Sequence, residues 1–133
     1  MAYLIKSAQT TIHPDLNQVL ERAVASPFNK PYKKQVVSAF ERMLVDVPDK
    51  SHSFVLDSFC GTGHSTLALA KEYPDCFVIG FDQSADRLRK APVELEQQKN
   101  AYLLRAEASD LWRLFSEAGW LFEKHTLFYP NPW

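Results

Sequence analysis

The sequence lacks several features that define large classes of proteins. It has only two cysteines in 133 residues, Cys60 and Cys76, which form neither a CxxC pair nor a ligand pattern with histidine. No apolar run approaches the roughly 18 residues that a membrane helix needs, and the N-terminus lacks the charged-then-apolar order of a signal peptide. We therefore expect free thiols, no metal site, no membrane association and a cytoplasmic location.

An excess of charge of either sign is also absent. The 15 lysines and arginines against 16 aspartates and glutamates give a net charge of -1. Nucleic-acid binding depends largely on lysine and arginine neutralising phosphates, so the chain has no general field that would attract nucleic acid. Two local basic clusters remain, at residues 30–34 and 87–90, and each equally suits an ordinary solvated surface.

Hydrophobic periodicity predicts helices first, and then strands alternating with helices. The predicted elements are helices at 15–25 and 32–45, strand 53–57, helix 64–72, strand 76–82, helix 84–98, strand 101–105, helix 109–117 and strand 124–129. This alternation predicts an α/β fold with a parallel sheet, preceded by an N-terminal helical extension over residues 1–50. Pro92 is expected to kink or shorten the helix in which it stands.

A glycine loop follows the first predicted strand. Residues 57–63 read D-S-F-C-G-T-G and lead directly into the helix predicted at 64–72. Gly61 and Gly63 allow a sharp turn and a close approach to a ligand, and the helix N-terminus offers free amide groups. The pattern predicts a nucleotide-like ligand, although a strand-to-helix turn without a ligand would look the same.

The acid at the end of this strand narrows the class of ligand. Asp57 would repel a pyrophosphate, whereas it would attract a sulfonium or ammonium group. S-adenosyl-L-methionine carries both of these cationic groups and is the predicted cofactor. A nicotinamide-dependent oxidoreductase is the weaker alternative.

Further candidates follow the next two strands. Asp82 stands about twenty residues beyond the loop, where a carboxylate can accept hydrogen bonds from ribose hydroxyls. It could instead cap the helix that starts near Ser84. Glu107 and Ala108 place an acid and a small residue where an adenine edge would lie, and Asp110 could equally be a helix cap.

The C-terminal segment is unusual. Asn131 stands between two prolines and is followed by Trp133. The amide offers donors and an acceptor and the indole offers a flat face, which together could hold a planar base. A proline-rich terminus with an aromatic anchor is the structural alternative.

Together, the glycine loop, Gly80-Phe81-Asp82 and the Tyr129-to-Trp133 segment resemble class I S-adenosylmethionine-dependent methyltransferases. The resemblance covers most of residues 10–133 and is closest to the bacterial tRNA (guanine-N7-)-methyltransferases. It implies a Rossmann-like fold, S-adenosyl-L-methionine as cofactor and tRNA as partner. The implied cofactor-binding residues are Asp57, Phe59, Gly61, Gly63, Asp82, Gln83, Glu107 and Ala108, and the implied catalytic residues facing the acceptor base are Asn131 and Trp133.

The chain differs from that family at three positions. The family usually has glycine where Phe59 stands, and aspartate where Glu107 and Asn131 stand. Asparagine cannot act as a base at neutral pH. Asn131 is instead similar to the Asn-Pro-Pro-aromatic motif of methyltransferases acting on planar amino groups, so another planar nitrogen acceptor is an alternative.

The resemblance also implies a seven-stranded sheet, of which the sequence predicts about four strands. We therefore expect a partial cofactor-binding domain over residues 51–133, in a truncated chain. Its last strand would leave an open apolar edge that favours self-association. A catalytically incomplete remnant that binds the cofactor or a partner protein is the alternative function.

Overall fold

The computed structural model describes residue 12 and residues 14–26 and 30–128. The chain divides into two compact units, Met1–Pro31 and Tyr32–Trp133. The first unit contains helix α1, Leu16–Ala25, close to the helix predicted at 15–25. The second unit contains all the other described elements, including the second helix. The domain boundary that the sequence suggested at residue 50 stays a prediction.

Strands and helices alternate along the larger unit. In chain order they are α2 (Lys34–Asp46), β1 (Phe54–Ser58), α3 (His64–Glu72), β2 (Phe77–Asp82), α4 (Ala85–Arg89), α5 (Glu94–Gln97), β3 (Ala101–Arg105), α6 (Ala108–Glu117) and β4 (Lys124–Thr126). The strands form one four-stranded sheet in the order β3-β2-β1-β4, and every pairing is parallel. The predicted α/β fold with about four parallel strands is confirmed.

The two faces of the sheet carry separate cores. On one face, Phe54 and Leu56 of β1 pack in the core that α2 and α6 cover. On the other face, Val55 and Val78 pack with Leu69 of α3. Every residue of β1 and β2 is buried, as expected of central parallel strands with helices on both faces. The polar residues at the carboxyl ends of these strands are therefore held rigidly.

A buried aspartate joins α2 to α6. Asp110 lies in the first turn of α6, and its Oδ2 accepts a hydrogen bond from the backbone N–H of Lys33 at 2.9 Å. Its Oδ1 lies 3.2 Å from Nη2 of Arg113. Asp110 is thus an internal anchor between two helices as well as an acid in a first helical turn.

Two predicted elements are shorter in the structure. The helix predicted at 84–98 is wrong as one element, because it is divided into α4 and α5 around Pro92, which has no N–H and cannot continue a helix. The strand predicted at 124–129 ends at Thr126, which pairs with Asp57. Its neighbour β1 ends one residue later at Ser58, so Phe128 has no residue of β1 to pair with, and Tyr129 lies outside the described residues.

Both cysteines are free thiols, as predicted, and Cys60 is buried. Burial, followed by the nearby charge of Asp57, raises the pKa of the Cys60 thiol to about 12. This thiol is therefore protonated at neutral pH and is not a nucleophile. No helix in the described part of the chain is long and apolar enough to cross a membrane.

Gly80 allows β2 and α3 to approach each other closely. A β-carbon at this position would lie 2.2 Å from Oγ1 of Thr66 and 2.9 Å from Cδ2 of Leu103. The first distance is far inside van der Waals contact, and the Thr66 hydroxyl is itself buried and hydrogen-bonded. Only glycine therefore fits here.

We expect Gly80→Ala to lower the free energy of unfolding by about 2 kcal/mol or more, because the new methyl group must displace a buried hydroxyl. Gly61→Ala is the matched control. Nothing lies within 4 Å of its β-carbon, and only the φ of +59° opposes the substitution, at a cost of about 1 kcal/mol. Urea denaturation, monitored by circular dichroism, measures the free energy of unfolding of both variants. Equal losses of this free energy in the two variants would contradict the steric explanation.

Candidate functional site

The loop of residues 59–63 connects β1 to α3 at the carboxyl end of the sheet. Phe59, Gly61 and Gly63 all have positive φ, of 57°, 59° and 85°. The loop is fixed by a hydrogen bond of 2.9 Å from the Cys60 N–H to the carbonyl of Phe81, and by another of 2.9 Å from the Gly63 N–H to the Cys60 carbonyl. The backbone of the loop is therefore tied to the end of β2.

Phe59 adopts a left-handed conformation that costs a non-glycine residue about 1–2 kcal/mol. Its ring centroid lies 6.0 Å from that of Phe81 and 5.9 Å from that of Trp112. These aromatic contacts offset the backbone strain and hold the start of the loop against α6. The ring of Phe59 thus has a packing role, and its contact with a cofactor stays a prediction.

The carboxylate of Asp57 lies beneath the loop and is 1% exposed. Its Oδ2 accepts hydrogen bonds from the hydroxyls of Ser65 at 2.7 Å and Thr66 at 2.8 Å. Its Oδ1 accepts one from the hydroxyl of Thr126 at 2.9 Å. Both carboxylate oxygens of Asp57 are thus already hydrogen-bonded and shielded from solvent. Asp57 can therefore attract a bound cation by its charge at a distance rather than by direct contact.

Asp82 connects the end of β2 to the loop. Its Oδ1 accepts from the backbone N–H of Gly61 at 3.3 Å and from Nη1 of Arg87 at 3.3 Å. Its Oδ2 accepts from the backbone N–H of Ser84 at 2.9 Å, while Ser84 itself caps α4. Two predicted site residues, Gly61 and Asp82, are thus in direct contact. A ribose hydroxyl at Asp82 would have to share the carboxylate with Arg87 or replace it.

A cleft of about 350 Å³ lies at the carboxyl ends of β2 and β3. Its volume falls within the range typical of small-molecule sites. It is lined by Lys33, Gln35, Val36, Gln83, Arg105, Ala106 and Glu107. The structure thus brings the predicted residues Gln83 and Glu107 to one cavity. The other six predicted cofactor-binding residues are not among its lining residues: Asp57, Phe59, Gly61, Gly63, Asp82 and Ala108.

Glu107 has a structural role beside its place in the cleft. Its Oε1 accepts from the N–H of Ser109 at 3.2 Å and from the Ser109 hydroxyl at 2.5 Å, which caps α6. Ala108 begins α6 and packs against the core on the face of the sheet that α2 and α6 cover. Contacts of these two residues with an adenine ring stay predictions.

A hydrogen-bonded cluster that the sequence did not predict lies at the end of β1. Nε1 of Trp112 donates to Oγ of Ser58 at 3.1 Å, and that Oγ lies 2.5 Å from Nε2 of His125. Because tryptophan can only donate, the serine hydrogen is available to His125. Burial lowers the pKa of His125, against the opposing charge of Asp57, and so favours the neutral imidazole. The partners are too far apart in the sequence for a spacing pattern to have indicated the cluster.

The two residues predicted to be catalytic, Asn131 and Trp133, lie outside the described residues. Their roles stay predictions.

Comparison with known proteins gives one family match and relatives of limited coverage. Residues 49–114 match the family model of a methyltransferase domain. A trans-aconitate 2-methyltransferase from Rhodopseudomonas palustris is 46% identical over 57 residues, which are 43% of this chain and 22% of that protein. The chain therefore spans well under two thirds of the relative that it matches.

Two solved structures are also similar. Coclaurine N-methyltransferase bound to N-methylheliamine and S-adenosylhomocysteine is 19% identical, with 62% of this chain and 25% of that chain covered and a TM-score of 0.38. PKMT2 from Rickettsia typhi in complex with S-adenosylhomocysteine is 23% identical, with 61% and 18% covered and a TM-score of 0.40.

Proposed function

We propose that this chain binds S-adenosyl-L-methionine at the loop and cleft described above and takes part in methyl transfer. The premise is that residues 49–114 form a class I S-adenosylmethionine-dependent methyltransferase domain. The methyltransferase class and the cofactor, both predicted from the sequence, are confirmed by the family match. The finer prediction of a tRNA guanine-N7 enzyme has no support from the relatives described above.

The loop and its carboxylates fit a cationic, nucleotide-like cofactor. A β-carbon on Gly61 would meet no atom within 4 Å, so a ligand can approach the backbone there. Asp57 lies beneath the loop with three hydroxyls as partners, and its negative charge favours a positively charged ligand, whereas the charge of Asp82 beside the loop is partly offset by Arg87. When bound, S-adenosylmethionine supplies an electrophilic methyl group on a positively charged sulfur. The protein residues bind and orient the ligand and exclude water.

For the acceptor, we propose a small carboxylate. The relative that is 46% identical is named for the methylation of trans-aconitate, a carboxylic acid. A carboxylate is already ionised at neutral pH, so this acceptor needs no base from the protein. Guanine N7 in tRNA, or another planar nitrogen, is the second candidate, which the sequence Pro130-Asn131-Pro132-Trp133 favours. A cytoplasmic location stays a prediction.

Cofactor binding is tested by isothermal titration with S-adenosylhomocysteine. We expect measurable binding to the wild-type chain and roughly tenfold weaker binding to Asp82→Asn, because the amide removes the charge beside the loop. Asp86→Asn is the matched control, since it removes the same charge from an exposed residue of α4. The absence of heat from the wild-type chain at millimolar ligand would refute the proposed cofactor site.

The acceptor is tested with S-adenosylmethionine that carries a labelled methyl group. We expect label to pass to trans-aconitate or a similar small acid and not to unmodified bulk tRNA. Label in tRNA would instead support the second candidate. Binding of S-adenosylhomocysteine without transfer to any acceptor would support a remnant that only binds the cofactor.

We further propose that the strand edge of β4 associates with a second copy of the chain. Among the described residues, β4 pairs only with β1, so its other edge is open. Leu121, Leu127 and Phe128 are exposed nearby, and a groove of about 570 Å³ lies between β4 and α6. Open edges and apolar surfaces of this kind favour association.

Size-exclusion chromatography with light scattering tests this association. We expect the wild-type mass to rise with concentration and Leu121→Glu to elute as a monomer, because the charge would enter the apolar contact. Val93→Glu is the control. Leu121 is 84% exposed and Val93 is 70% exposed, but Val93 lies beside α5, away from β4. A wild-type chain that stays monomeric at all concentrations would contradict the proposal.

A further inference from the structure

The hydrogen bonds to Asp57 come from two different parts of the chain. Ser65 and Thr66, both in the first turn of α3, donate to Oδ2. Thr126, in β4, donates to Oδ1 and lies 69 residues away in the sequence. Oδ2 therefore has two hydroxyl donors close in sequence, whereas Oδ1 depends on a donor from a distant strand.

Thr126 is well suited to hold this carboxylate. Its side chain is buried in the strand that pairs with β1, and the register places Thr126 opposite Asp57 itself. Its Oγ1 also lies 3.5 Å from the carbonyl oxygen of Leu56. A side chain packed against its partner strand in this way has little freedom, so its hydroxyl has a fixed direction.

The neighbouring residue of β4 contacts β1 as well. His125 approaches the hydroxyl of Ser58, while Thr126 approaches the carboxylate of Asp57. Successive side chains of a strand point to opposite faces, so β4 holds the last two residues of β1 from both faces of the sheet. These residues come directly before the loop that begins at Phe59.

We propose that Thr126 is a positioning residue for the cofactor, which fixes the orientation of the Asp57 carboxylate beneath the loop. The inference rests on the proposed function, because it assumes that the charge of Asp57 acts on a bound cation. Without the Thr126 hydroxyl, Oδ1 loses its donor in a buried site, and the carboxylate must turn or draw in water to be satisfied. Either change moves negative charge relative to the loop.

The test compares the affinity for S-adenosylhomocysteine of four chains by isothermal titration. Thr126→Val keeps the shape and removes the hydroxyl, and we expect roughly tenfold weaker binding. Thr126→Ser restores the hydroxyl and should bind within about twofold of the wild-type chain. Ser65→Ala is the matched control, because Thr66 still donates to Oδ2, and it should also change the affinity by no more than about twofold.

The melting temperature of each chain separates positioning from simple stability. Unchanged affinity of Thr126→Val beside a lower melting temperature would overturn the inference, as would a serine variant that fails to restore binding. If the valine variant does not fold, Thr126→Ala gives the same comparison without placing an additional methyl group beside the carboxylate. A wild-type chain that does not bind the ligand would refute the proposed function itself. A wild-type chain and a Thr126→Val variant that bind equally well would refute only the role of Thr126.

Discussion

The buried carboxylate of Asp57 is the interaction on which the rest of the structure depends. An ionised group at this depth is tolerated only when hydrogen bonds replace its lost water, and three hydroxyls do so. These hydroxyls come from α3 and β4, so the first turn of the helix and the register of the edge strand must both be correct for the carboxylate to be satisfied. Asp57 comes just before the loop of residues 59–63, and Ser65 and Thr66 come just after it. The carboxylate of Asp57 therefore holds the loop at both ends.

The sheet determines where the carboxylate of Asp82 lies relative to that of Asp57. Asp57 and Asp82 end neighbouring parallel strands, so both lie at the same edge of the sheet and flank one loop. Gly80 lets β2 and α3 lie close together, and a side chain there would collide with the Thr66 hydroxyl that donates to Asp57. The absence of a side chain at Gly80 therefore leaves room for a hydroxyl that holds Asp57. Both acids are shielded from water, which strengthens their field at the loop.

Local sequence signals predicted much of this structure. The bounds predicted for α3, which follows the glycine loop, and for β3, which follows from the alternation of apolar segments, agree with the structure to the residue. Pro92 was expected to kink or shorten one helix, and the structure divides that helix into α4 and α5, because the extent of the break depends on packing beyond the helix. Thr126 and His125 gave no signal, because their partners lie on a strand nearly seventy residues earlier. The roles of Asn131 and Trp133 stay predictions from the sequence pattern.

If a ribose hydroxyl binds at Asp82, as proposed, the ion pair between Arg87 and Asp82 makes that binding an exchange of partners. In the free protein the guanidinium of Arg87 pairs with the carboxylate of Asp82, which is 1% exposed, so this buried charge has a cation beside it. A ribose hydroxyl at this oxygen would compete with the guanidinium of Arg87, which is itself partly exposed to solvent. Dissolved salt screens the ion pair between Arg87 and Asp82 more strongly than it weakens a hydrogen bond from a neutral hydroxyl. A higher ionic strength therefore weakens Arg87 as a competitor more than it weakens the ribose hydroxyl. Salt concentration would thus affect how much of the proposed ribose position is occupied, through Arg87, a residue that need not touch the ligand.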